Sequence, residues 1–240
     1  MNRLTLLLVV LLGATFGAVG MWLAERAAPG DLRVSDKAQI EKVVHDYLLS
    51  NPEIIPQAMQ KLQERESGRA VAANRSRIET PYPGAVMGNR NGDVTLVEFF
   101  DYNCGYCRAS LPTIDRLVKS DPKLRVVFRE LPILAEESRD AARASLAAAA
   151  QGRFPAFHQA LYAGGAVSAQ SIAAAARSTG VDLTKMPDDV DTEIAGNLGL
   201  AAKLGISGTP AWVVGDKVLS GALPFDRLQE AIAEARSSRD

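Results

Sequence analysis

Cys104 and Cys107 are the only cysteines in this 240-residue chain, and they stand three positions apart. A pair so close cannot staple distant parts of a fold, so the cysteines are not a structural disulfide framework. What remains is chemistry: a thiol–disulfide couple, or a soft metal site. Zinc usually asks for four ligands, and the two histidines, His45 and His158, are both far from the pair in sequence. No metal ligand set and no cofactor is therefore assigned. Thiol exchange needs a thiolate, so the surroundings must favour negative charge on one sulfur.

The elements around the pair supply such surroundings. Val94 to Phe100 is rich in β-branched and aromatic residues with apolar character on both faces, as a central strand requires. After the cysteines, Leu111, Ile114, Leu117 and Val118 recur at helical spacing, and Leu124 to Phe128 reads as a second buried strand. A helix starting at Cys104 would point its unpaired first-turn amides at that sulfur, and its dipole would favour negative charge there. Cys104 is the expected nucleophile. Cys107, one turn inward and less exposed, is placed to attack a mixed disulfide once Cys104 has formed one.

Glu98 lies inside the apolar strand, where a carboxylate is costly without a purpose or a partner. Two readings stand: a proton relay for Cys107, or a side chain turned to a wet edge or paired with Arg129. Tyr106 is read as tuning the thiol environment and touching clients, or else as a plain surface aromatic; Asp101 is read as a turn residue.

Further along, alanine-rich helical stretches run from about 136 to 150, 155 to 162, 168 to 178 and 189 to 204, a helical insertion over about 136–205. Ala211 to Val214 and Lys217 to Leu219, joined by Gly215-Asp216, read as a tight hairpin, and Pro224 to Ala235 as a closing amphipathic helix. Thr209-Pro210 sits at the entry of the hairpin, where a proline is tolerated.

At the amino terminus Arg3 precedes an uncharged, mainly apolar stretch from Leu4 to Ala24, so residues 1–28 read as a signal peptide or signal anchor. The rest is expected to fold in an extracytoplasmic space, where dithiols meet oxidants and folding clients. Residues 31–80 read as a helical region. Ser35 could cap a first helix carrying Ile40, Val43, Val44, Tyr47 and Leu48, and Ser50 with Glu53 has capping-box spacing for a second carrying Ile54, Ile55, Ala58, Met59 and Leu62. Beyond Leu62 any continuing helix is expected to be mostly solvated. These stripes need a partner: self-association over residues 35–77, packing on the body of the same chain, or a membrane surface, a mere spacer leaving them unexplained. Pro81-Tyr82-Pro83-Gly84 reads as a linker to a domain spanning 85–238. With a formal net charge of -1 and no basic block, no nucleic-acid partner is expected.

The run Phe99-Phe100-Asp101-Tyr102-Asn103-Cys104-Gly105-Tyr106-Cys107, followed downstream by Gly208-Thr209-Pro210, resembles the DsbA-like thioredoxin-fold proteins, particularly the ScsC-like branch. The resemblance covers about Val86 to Ala235 and implies an α/β thioredoxin fold with a helical insertion, preceded by a short helical region. It implies a cis Thr209–Pro210 bond, and a loop there that sits against the cysteines and binds client backbone. Between the cysteines, Gly105-Tyr106 is similar to the disulfide isomerase DsbC and lacks the histidine of oxidising DsbA. The function implied is a cell-envelope thiol–disulfide oxidoreductase, favoured as isomerase or reductase. It would act on clients with cysteines or disulfides and be served by a membrane redox partner. A monomeric DsbA-like oxidase and a copper-binding envelope protein are the alternatives.

Overall fold

The strand that leads to the cysteines, β2 (Val94–Phe100), is the middle of a five-stranded sheet ordered β1-β3-β2-β4-β5. Its neighbours are β3 (Leu124–Glu130), parallel to it, and β4 (Ala211–Val214), antiparallel. β1 (Val86–Gly88) and β5 (Lys217–Ser220) close the two edges, both antiparallel to their neighbours. Every residue of β2 is buried, as expected for a strand covered on both faces. The coordinates are a computed structural model, and it describes residues 13, 15–22 and 34–238.

Alternation along the strands divides the core in two. Leu96, Phe100, Val126, Phe128, Trp212 and Val214 face one side, with Ile114 and Leu117 of α3 (Gly105–Ser120) and Leu228 and Ile232 of α8 (Phe225–Ser237) in the same cluster. The inserted helices α4 (Glu136–Ala150), α5 (Phe154–Ala163) and α6 (Ala169–Thr179) add Leu146, Phe154, Phe157 and Ile172 to it. Val97, Phe99, Val127, Ala211 and Val213 face the other side, with Leu200 and Leu204 at the end of α7 (Val190–Lys203). The expected β-α-β, helical insertion, β-β-α order is the observed one, preceded by β1, too short at three residues to show a period.

Two compact units divide the chain, Met1–Gln60 and Lys61–Asp240. The first holds α1 (Val34–Ser50) and the start of α2 (Ile54–Glu79). Val34 is already helical, so Ser35 stands inside α1, and Ser50 closes α1 instead of capping α2. Ile40, Val43, Val44, Tyr47, Ile55 and Met59 are all exposed in this unit. Residues 1–28 lie largely outside the described residues; among those described, no helix is long and apolar enough to cross a membrane.

The second unit refines one expectation and corrects another. The later turns of α2 are mostly exposed or half-buried, as expected, yet they bury Val71 and Ile78 in the second core cluster. Each such burial is worth about 1.5–3 kcal/mol. Between them lie the polar residues that hid the stripe. Pro81–Gly84, by contrast, is not a loose linker: Tyr82 is buried and its hydroxyl donates to Asp189 at 2.8 Å. Gly84 has φ +92°, and an added Cβ would run into the Ala149 carbonyl, so this corner is packed.

Candidate active site

Helix α3 begins at Gly105, and Cys104 is its N-cap, with extended backbone angles (φ -80°, ψ 111°). The first-turn amides are unpaired within the helix, and the Cys107 N–H donates to the Cys104 sulfur at 3.3 Å. That donor and the amino-terminal end of the helix both face the Cys104 sulfur. On its other side the Cys104 thiol donates to the Thr209 carbonyl at 3.2 Å. Thr209–Pro210 is a cis peptide bond, as the resemblance implies. Both cysteines are free thiols; Cys104 is 5% exposed and Cys107 1%, the order expected from their positions on the helix.

The remaining site residues sort clearly. Tyr106 is 70% exposed and stands beside the pair. A side chain at Gly105 would meet nothing within 4 Å, so the flank of Cys104 there is open. Glu98 is 1% exposed, between Phe128 and Trp212 in the sheet register, and its Oε2 finds no hydrogen-bond partner among the described residues. The wet-edge and Arg129 readings are both overturned. Arg129 lies on the opposite face of the sheet because neighbouring strand residues alternate. Its guanidinium donates instead to the carbonyls of Arg77, Ile78 and Thr80 at the end of α2, and to Glu193 and Asn197.

Burial pushes the Glu98 carboxyl well above the ordinary carboxylate range, and a negative Cys104 sulfur pushes it further. Cys107 is raised likewise, first by burial and then by the Glu98 carboxylate. The two thiols are thus unequal: one is capped by an amide, the other sits over an acid in the core.

Behind them lies a polar group that the sequence reading missed. The Tyr102 hydroxyl lies 2.8 Å from Ser145 Oγ and 3.0 Å from His158 Nδ1, and the buried Glu130 carboxyl adjoins this group, its Oε1 without a hydrogen-bond partner among the described residues. Glu130 shares the face of Glu98, since Phe100 and Glu130 are paired in register. Its carboxyl is raised by burial, while burial lowers the His158 imidazole to about 3. Glu130 could have been found as Glu98 was, as a carboxylate in an apolar strand; His158 carried no signal beyond its rarity. Among the described residues no three His, Cys, Asp or Glu side chains cluster as a metal site would need.

The sequence profile of the DSBA-like thioredoxin domain matches residues 95–233. This chain belongs to the DsbA-like thioredoxin family. A second profile, the N-terminal domain of the copper resistance protein ScsC, matches residues 36–67. Among solved structures, a thioredoxin-like oxidoreductase from Silicibacter pomeroyi is 42% identical, with a TM-score of 0.65, over 68% of this chain and 98% of that one. A linker-deletion mutant of Proteus mirabilis ScsC is 30% identical, with a TM-score of 0.71, over 88% of this chain and 100% of that one. The thiol–disulfide exchange protein α-DsbA2 of Wolbachia pipientis is 27% identical, with a TM-score of 0.66, over 72% of this chain and 97% of that one. A Na(+)/H(+) antiporter NhaA of Salinispora arenicola is 28% identical over 62% of this chain but only 24% of its own length. The chain thus spans about a quarter of the curated relatives it matches. The match to the DSBA-like domain covers the strand, the free dithiol and the cis-proline loop together.

Proposed function

We propose that this DsbA-like protein exchanges disulfides with client proteins in the periplasm, as an isomerase or reductase. The observation that carries the reading is the Cys104 sulfur at a helix amino terminus, bridged to the Thr209 carbonyl. Cys104, as thiolate, attacks a client disulfide; the client S–S bond breaks, a Cys104–client disulfide forms and one client thiolate leaves. Forming that bond removes the negative charge that raises Glu98. Glu98 then ionises more readily, so the carboxylate that can take the proton is more available just when Cys107 must lose it. The Cys107 thiolate attacks the Cys104 sulfur, the second client thiolate leaves, and the dithiol is left oxidised. In isomerisation the freed client thiolate attacks first and re-pairs the client. The main chain at Thr209 and Pro210 holds the client strand, and Gly105 with Tyr106 forms its near wall.

Direction follows from the groups between the cysteines: Gly105-Tyr106 offers no cation to favour a resting thiolate strongly, which disfavours a strong oxidant. The exposed stripe of Ile40, Val43, Val44 and Tyr47 supports self-association through residues 35–77. Several Cys104 sites around one client would raise effective concentration. Reduction of the Cys104–Cys107 disulfide falls to a membrane redox partner. The periplasmic address is supported by a periplasmic thioredoxin-like protein of Salmonella enterica serovar Typhimurium, 30% identical over 68% of this chain. The match to a domain named for copper resistance keeps a second reading open, Cu(I) held by the two thiolates.

Refolding of a scrambled-disulfide client, beside light-scattering mass measurement, tests the main reading. Rescue of the scrambled client by an oligomer is expected. Fast oxidation of reduced clients by a monomer, with no rescue, would overturn the isomerase; tight Cu(I) binding without any client adduct would favour the copper reading.

A further inference from the structure

The Asp101 carbonyl accepts two donors, the Cys104 N–H and the Tyr162 hydroxyl, each at 3.0 Å. The residue is buried, and its carboxylate takes four more. These are the N–H groups of Asn103 at 2.8 Å, Ile133 at 2.8 Å and Leu134 at 2.9 Å, and the hydroxyl of Ser138 at 2.7 Å. Asp101 is thus the turn residue expected, and also the place where the inserted helices meet the nucleophile.

The Cys104 sulfur hangs from its main chain by a single Cβ, between the Cys107 N–H at 3.3 Å and the Thr209 carbonyl at 3.2 Å. A reacting group must be held within about 0.5 Å of its working position, so the main chain of Cys104 has to be fixed at both ends. Downstream, its carbonyl accepts the Arg108 N–H at 3.1 Å within α3. Upstream, its N–H relies on the Asp101 carbonyl, which lies past the end of β2.

Tyr162 steadies that carbonyl. It stands in the last turn of α5, buried, with its ring 4.9 Å from that of Tyr102. A buried phenol needs an acceptor, and any free carbonyl would meet that need. Two observations give Tyr162 more than this. Its acceptor is the one that already holds the Cys104 N–H. The loop just after α5 makes a second tie to the start of α3, where the Arg108 guanidinium donates to the Gly165 carbonyl at 2.5 Å. The end of α5 therefore holds the chain both before and after the nucleophile.

We propose that Tyr162 of α5, seconded by Ser138 of α4, is a positioning residue for Cys104: by fixing Asp101 it keeps the sulfur in line for attack. In that attack, the Cys104 thiol proton having passed to solvent, the sulfur bonds to one client sulfur. The client S–S bond breaks and its electron pair leaves on the other client sulfur. The assignment rests on the thiol–disulfide exchange reading above, and deepens it.

The reduced full chain, mixed with excess 5,5′-dithiobis(2-nitrobenzoate), releases one coloured thiolate when Cys104 attacks and a second when Cys107 resolves. Tyr162→Phe removes one oxygen and keeps the ring; it is expected to slow the first phase about fivefold, the scale of one buried hydrogen bond. Tyr82→Phe is the matched control, because it removes a phenol hydroxyl that bonds Asp189 and not the turn. It is expected to lower resistance to urea about as much while leaving the first phase within about twofold. An unchanged first phase in Tyr162→Phe overturns the proposal. Equal slowing in Tyr82→Phe also overturns it, since lost stability would then account for both. Should Tyr162→Phe not fold, Ser138→Ala is expected to slow the first phase about two- to threefold, and an unchanged rate there overturns the proposal. Failure of the wild type to release any thiolate would instead sink the exchange reading itself.

Discussion

The Cys104 thiol donates to the Thr209 carbonyl across 3.2 Å, so the resting nucleophile occupies an acceptor that the proposed client strand would use. Ionisation of Cys104 ends that donation and leaves sulfur and carbonyl both electron-rich. The carbonyl is then free for a client N–H at the moment the sulfur becomes reactive.

Cys107→Ala removes the group that breaks the mixed disulfide and leaves the capping amide of residue 107 in place. It is expected to trap Cys104–client adducts, visible by mass spectrometry as a mass gain lost on reduction. Absence of adducts with disulfide-bearing clients would remove Cys104 from its role.

Glu98 ties the resolving step to pH. Its folded-state value is raised, so the stability from its neutral form is fully present below the ordinary 4.5 and is lost as pH rises through the raised value. Glu98→Gln stays neutral throughout. In the reduced protein it should match the wild type near pH 4 and exceed it by about 1–3 kcal/mol near pH 9, read by urea unfolding. Its second phase in the coloured-thiolate assay should slow about ten- to a hundredfold. Equal stability at both pH values would mean that the carboxyl is not held neutral.

His158 acts with the opposite sign. Burial lowers it to about 3, so the unfolded chain takes up a proton near 6.5 that the folded chain refuses, and stability falls as pH drops between those values. His158→Phe keeps a ring against Phe100, Phe128 and Phe154, whose rings lie about 5 Å from that of His158, and removes the titration. It should cost about 1 kcal/mol at pH 7, from the lost Tyr102 bond, and flatten the decline between about pH 7 and pH 4 by about 3 kcal/mol. An unaltered acid limb in urea titrations would contradict this.

Val43→Asp with Tyr47→Asp places two charges on the exposed stripe of α1. If that stripe joins copies of the chain, light-scattering mass should fall to a single chain and scrambled-client rescue should drop, while both coloured-thiolate phases stay unchanged. An unaltered mass would dismiss the stripe as the contact.

Strong local periodicity made the second unit legible. β2 announced itself through a run of β-branched and aromatic residues interrupted only by Leu96 and Glu98, and α3 through Ile114 and Leu117 at helical steps. The two sulfurs could be ranked because a helix has a direction. What stayed hidden depends on distant neighbours. Val71 and Ile78 are spaced as a helical face, but Asn74, Arg75 and Arg77 between them carry the polarity of a solvated helix. Charge alone offers Arg129 as one possible partner for Glu98, and only the sheet register, with Phe128 beside Glu98, puts the two on different faces. The Tyr102, Ser145 and His158 contacts join residues more than forty positions apart, with no local pattern to mark them.

Adjacent residues near the end of β3 have opposite duties: Arg129 gathers the last carbonyls of α2, and Glu130 enters the polar group behind the dithiol. A slip of one residue in the pairing of β3 would exchange them. It would set a guanidinium behind the sulfurs and a carboxylate against the negative end of a helix, two errors from one displacement. The strand thus proofreads its own assembly: a chain misaligned here could neither dock its long helix nor poise its thiols, so misfolded copies would be redox-silent.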